Sequence, residues 1–262
     1  MLFAIEVLLV GMSVSAFIPL LLASATAAIV SRILFQGQLF VLITNEWKLN
    51  AIPIYILMGV IAGLYSVLII RQTIKVNNVF GKIKNKWIRV GIGGLILSSL
   101  IFMFPSLFGE GYFSIQSILN HQTISILNDS LFSINNNFVF IAIIALLLFK
   151  IYATGITIAA GGNGGIFAPS LFMGGLLGYL IASAINNTGL MELNVINFTV
   201  VGMAGVLSGV IKIPLTAVFL IAEITGGYVL FVPLMIVSAI SYFISSYFEN
   251  KSIYTKELEM RA

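Results

Sequence analysis

Gly161-Gly162-Asn163-Gly164-Gly165-Ile166-Phe167-Ala168-Pro169 is the stretch on which the reading of this chain turns. Four glycines around one asparagine do not make a helix interior, because glycine loses the most backbone freedom on folding and has no side chain to pack. The stretch nevertheless joins two apolar segments, 138–160 and 166–185. One helix is therefore expected to end at the glycines and another to start near Phe167, with Pro169 in its first turn, where the missing N–H costs nothing.

Outward from the break, the composition sets the solvent. Of 262 residues, 60% are hydrophobic and 8% are charged, and the mean hydropathy is +1.10; a soluble domain carries about a quarter charged residues. A helix needs about 20 apolar residues to cross a bilayer, and further apolar stretches lie at 2–34, 51–70, 87–104, 198–225 and 228–248. Glycines and prolines interrupt several of them, which membrane helices tolerate only where protein or a wet cavity satisfies the freed backbone. The expected fold is all-α: a polytopic membrane helix bundle with broken and re-entrant helices over residues 1–250, and a short cytoplasmic tail over 251–262. Gly59/Gly63, Gly174/Gly178 and Gly205/Gly209 have the spacing that lets helices approach closely.

Charge gives a topology. Arg71, Lys75, Lys82, Lys84, Lys86 and Arg89 fall in one stretch with no acid between them, so the positive-inside bias places 71–89 in the cytoplasm. The connector 106–137 carries Glu110 and Asp129 but no Lys or Arg, and 186–197 carries only Glu192, so both read as outside; Lys251, Lys256 and Arg261 place the C-terminus inside. The net charge of +4 is thus read as topology, not as a nucleic-acid surface. Residues 1–6 lack the basic start of a cleavable signal. Asn128, Asn186 and Asn197 fit the glycosylation pattern but carry no functional weight.

Several chemistries drop out. There is no Cys and only one His, His121, so a thiolate nucleophile, a disulfide framework and a His or Cys metal cluster are not available. No Gly-Lys-Ser/Thr follows the glycines, which removes a nucleotide-binding loop. An intramembrane hydrolase, the enzymatic alternative, would need a nucleophile with its base or a metal at membrane depth. No catalytic residue, metal or cofactor is expected beyond a bound anion.

What remains favours an anion. A helix that begins inside the membrane presents unpaired amides and the positive end of its dipole, which suits a small anion such as chloride. Tyr228, after Gly226-Gly227, either donates its hydroxyl to a cavity or belongs to the interfacial aromatic belt. Glu6, Lys150, Lys212 and Glu223 are ionisable residues within apolar segments, where each is costly. The lysines can snorkel from helix ends; Glu6 and Glu223 can cap helix amides or handle ions and protons.

This pattern resembles the CLC family of chloride channels and chloride/proton exchangers. Gly164-Gly165-Ile166-Phe167-Ala168-Pro169 matches its Gly-x-Phe-x-Pro signature, and Gly202-Met203-Ala204, Pro214-Leu215-Thr216, Glu223-Ile224-Thr225 and Tyr228 follow in the family's order. Phe3-Ala4-Ile5-Glu6-Val7 resembles the segment after its gating motif. The resemblance implies a chloride held by the amides of Ile166 and Phe167 and the hydroxyl of Tyr228, supported by Gly164, Gly165 and Pro169. It also implies a homodimer with contacts near 13–34, 51–70 and 214–246. The family's Gly-Ser-Gly-Ile-Pro and Gly-Arg-Glu-Gly-Pro motifs do not occur in these residues, so the chain is similar to the later part of the membrane domain, with the second half of the inverted repeat. Exchangers of the family often carry a second acid where Val7 stands, which favours a channel-like or weakly coupled member. A truncated or partner-dependent fragment is the alternative.

Overall fold

The structure, a computed structural model, describes residue 6 and residues 14–34, 44–109, 111, 139–225 and 227–256. Among these, the regular elements are all helical. In chain order they are α1 (Val14–Leu34), α2 (Ile52–Gly81), α3 (Lys86–Met103), α4 (Val139–Ala159), α5 (Phe167–Thr188), α6 (Val195–Ile211), α7 (Pro214–Ile224) and α8 (Phe231–Phe248), with single 3-10 turns at Leu49–Ala51 and Pro105–Leu107. Glu110, His121, Asp129, Val7 and Gly226 lie outside the described residues.

Five described spans are long and apolar enough to cross a bilayer: Leu49–Gly81, Lys86–Met103, Val139–Ala159, Phe167–Thr188 and Phe231–Lys256. The apolar run 198–225 is divided, as Pro214 predicts, into α6 of 17 residues and α7 of 11. The corner is made by Lys212, whose φ of 69° lies in the left-handed region. α6 is the centre of the bundle. Every residue from Asn197 to Ile211 is buried, and α6 packs against α5, α8, α2 and α7; a helix apolar on all sides belongs in such an interior.

The small residues set the closest approaches. An added Cβ at Gly174 would strike the carbonyl of Gly202, and one at Gly178 the carbonyl of Phe198, so α5 and α6 touch backbone to backbone. On the other side of α6, serines of α8 tie the helices together: Ser241 donates to the Gly205 carbonyl and Ser245 to the Gly209 carbonyl, both at 2.7 Å. Hydroxyl to carbonyl bonds of this kind hold helices where lipid offers no hydrophobic drive between them.

Two boundaries differ from the sequence expectation. α2 runs on to Gly81, so Arg71 and Lys75 stand on helix and only residues 82–85 connect it to α3. Its 30 residues span about 45 Å, more than the ~30 Å of hydrocarbon, and the basic end therefore projects past the apolar layer. The tail does not leave the bundle at once: Ile253 is 1% exposed and joins the core. Glu249 holds it there, accepting from Arg71 Nε at 2.7 Å and from Lys256.

Asn186 and Asn197 have structural uses. Asn186 pairs with the backbone of Leu193, and Asn197, 1% exposed, exchanges hydrogen bonds with the backbone of Asn45. α1 packs broadly against none of the other described helices, and Ile18, Leu22, Ile29, Ile33 and Leu34 on it are exposed.

Candidate anion-binding site

The break forms as its glycines require. α4 closes with bonds from the amides of Ala160 to Ile156, Gly161 to Ile158 and Gly162 to Thr157, at 2.8, 3.1 and 2.9 Å. Gly161 then takes φ 102°, a conformation that side-chain-bearing residues rarely adopt. Residues 161–165 are exposed and Ile166 is buried. α5 starts at Phe167 with Ile166 as its N-cap, whose own side chain makes no cap, and Pro169 falls in the first turn as expected.

The Ile166 carbonyl is committed to the helix, accepting the Ser170 amide at 3.0 Å and its hydroxyl at 2.6 Å. The start of α5 opens on a cleft of about 660 Å³. Asn163, Gly164, Gly165, Phe167, Ala168 and Pro169 form one wall; Lys150, Thr154 and Thr157 of α4 and the corner at residues 107–109 form the others. A positive helix end facing a cavity is the physical setting for an anion.

Lys150 does not snorkel. It is 2% exposed, and its Nζ donates to the carbonyls of Leu107 and Gly109, each at 2.9 Å, and lies 5.1 Å from the centre of the Phe172 ring. The sequence signal was its position near the middle of Val139–Ala159, from which a lysine stem does not reach the surface. Lys212 is also tied inward, with Nζ donating to Ser245 Oγ at 2.6 Å.

Other candidates are placed elsewhere. Glu6 accepts from the amides of Leu215 and Thr216 at 3.0 and 2.7 Å, so it caps α7. Glu223 is exposed on the last turn of α7. Tyr228 is 64% exposed, packs edge-on against Phe231 with ring centres 5.5 Å apart, and does not line the cleft. It lies in the short turn between α7 and α8.

Tyr65 spends its hydroxyl on the Leu147 carbonyl, and Tyr55 stacks on Phe198 beside a different cleft. Tyr179 stands twelve residues along α5 from Phe167, about 18 Å at helical rise. Tyr152, Tyr242 and Tyr247 are exposed. Tyr254 is half-buried against the main core cluster and, like Tyr228, does not line the cleft.

The described residues thus form a bundle of apolar helices with interrupted segments, in which the start of α5 and a buried lysine share one cleft. The chain belongs to the voltage gated chloride channel family, whose description matches residues 1–246. It is 25% identical over 268 residues to a putative chloride channel protein ClcB-like of Ralstonia nicotianae, covering 98% of this chain and 57% of that protein. It is 28% identical to the H(+)/Cl(-) exchange transporter ClcA of Klebsiella pneumoniae, over 89% of this chain and 48% of that protein. The chain thus spans about half the length of these relatives. In fold it is similar to a CLC-type fluoride/proton antiporter, with TM-score 0.76 at 23% identity, covering 97% of this chain and 58% of that one. It is also similar to a eukaryotic CLC transporter, with TM-score 0.75 at 21% identity over 99% of this chain and 42% of that one.

Proposed function

We propose that this chain contributes one wall of a pathway for a small anion, chloride in the first place, across a membrane. The observation that carries this reading is the start of α5, whose N-cap residue Ile166 supplies no side-chain cap, open to a cleft walled by a buried lysine. Family membership supports it, and so do relatives named as channels and as proton exchangers. The backbone amides of Ile166 and Phe167 are the chloride donors in this reading, and lipid surrounds the rest. Val7, at the position of a second acid, favours channel-like or weakly coupled movement.

The protein acts as a homodimer in this proposal, with α1 and the outer faces of α2, α7 and α8 as the contact. Ile18, Leu22, Ile56, Leu64, Phe219 and Phe243 supply the exposed apolar surface for it. A second reading is a half that requires a partner chain, which the share of the relatives' length supports. Proteoliposomes loaded with chloride test both. Chloride efflux without matching proton uptake is expected; efflux strictly coupled to protons overturns the channel-like reading, and flux that appears only with added partner chain supports the second.

A further inference from the structure

α3 stands at the edge of the bundle. Gly93 is its one buried residue, and Trp87, Ile88, Val90, Leu95 and Phe102 are exposed, so lipid is its main neighbour. Its contact with the rest is local: Gly93 lies against Ala160, and Ile96 and Leu97 pack on the small cluster of Phe80, Ile156, Ala159 and Ala160. That cluster sits at the end of α4, immediately before the left-handed Gly161. Leu97 and Ile101 of α3 also line the cleft at the start of α5.

Positive charge gathers where α3 begins. Lys75 on the overhanging end of α2, Lys82 and Lys84 in the connector and Lys86 at the first position of α3 are all exposed, and Arg89 follows one turn later. Lys86 and Arg89 stand at the positive end of the α3 dipole with no acid in the first turn, the end at which a cation is disfavoured. Between them is Trp87, 85% exposed, the residue type that membranes collect at headgroup level.

We propose that this edge, from Lys75 to Arg89, binds anionic lipid headgroups, and that the bound lipids brace α3 against the end of α4. Clusters of basic side chains directly flanking a membrane helix draw anionic lipid. A lipid phosphate there offsets the charge that Lys86 and Arg89 add to the helix dipole, and its acyl chains cover the exposed apolar side chains further along α3. The small cluster at Ala160 then carries the contact to the glycine break. The proposal needs only the membrane and stands apart from the anion reading.

The test is native mass spectrometry of the full chain in detergent, titrated with phosphatidylglycerol or with phosphatidylcholine. The wild-type protein is expected to bind phosphatidylglycerol at least about tenfold more tightly. Lys82→Gln, Lys84→Gln and Lys86→Gln together are expected to lower phosphatidylglycerol affinity at least about tenfold, a modest share of what three basic side chains contribute at an anionic surface, and to leave phosphatidylcholine binding unchanged. Lys48→Gln, exposed before the opposite end of α2, is the control and changes neither. Phosphatidylglycerol should also raise the melting temperature of the wild type and not that of the triple variant.

Equal binding of the two lipids by the wild type overturns the proposal, as does a folded triple variant with wild-type phosphatidylglycerol affinity. Inorganic phosphate that displaces the lipid at comparable concentration would make the edge a soluble-anion surface and overturn it too. Lipid binding with no change in melting temperature overturns the brace. Should the triple variant not fold, Lys84→Gln alone decides: a loss of about threefold or more is expected, and unchanged affinity overturns the proposal.

Discussion

Glu6 and Thr216, 210 residues apart in sequence, meet at the start of α7: Glu6 Oε2 accepts the Thr216 amide at 2.7 Å while Oε1 accepts the Leu215 amide at 3.0 Å. Ile213, the N-cap of α7, has no side-chain hydrogen bond of its own. A distant carboxylate therefore supplies both the cap and the charge that suit a helix N-terminus.

Glu6→Ala is expected to destabilise the protein by about 1–2 kcal/mol, the usual cost of a lost cap. Glu6→Gln should lose less, since it retains one acceptor. Thermal unfolding in detergent measures both. Wild-type stability combined with altered flux in either variant would assign Glu6 to ion handling instead.

Gly178→Ala places a methyl group against the Phe198 carbonyl of α6. Backbone does not move aside as a side-chain tip does, and overpacking of this kind costs about 1–3 kcal/mol. Gly94→Ala, where nothing lies within 4 Å of the added carbon, is the control and should leave the melting temperature unchanged or slightly raised.

The role of the Tyr228 hydroxyl can be tested with one variant. Tyr228→Phe, at an exposed position outside the cleft, is expected to leave chloride affinity within about twofold, less than the ~1 kcal/mol scale of one lost hydrogen bond. Calorimetric titration measures it. A larger loss would return Tyr228 to the site.

Topology is accessible because the chain contains no native cysteine. Lys84→Cys, in the 82–85 connector, should react with a membrane-impermeant maleimide only from the cytoplasmic side. Glu192→Cys should react only from the opposite side. Labelling of both from one face would overturn the charge-based orientation.

The glycine break was legible because glycine and proline act on the residues beside them. Gly161 needs a left-handed φ, and Pro169 fits only a first turn, whatever packs around them. For the same reason the Pro214 corner between α6 and α7 could be read directly. The helical extension to Gly81 was not legible from hydropathy, because polar residues continue a helix once it has left the apolar layer.

Sequence by itself determined the membrane, the helical class, the interrupted helices and the family, since each rests on composition or on contacts a few residues apart. Tertiary structure alone decided that Glu6 caps α7, that Lys150 lines the cleft, that Tyr228 is not part of its wall and that residues 251–256 fold back on the core. Each of those depends on where distant segments meet, and a side chain's role in a bundle is set by the neighbours it is given more than by the residues that flank it.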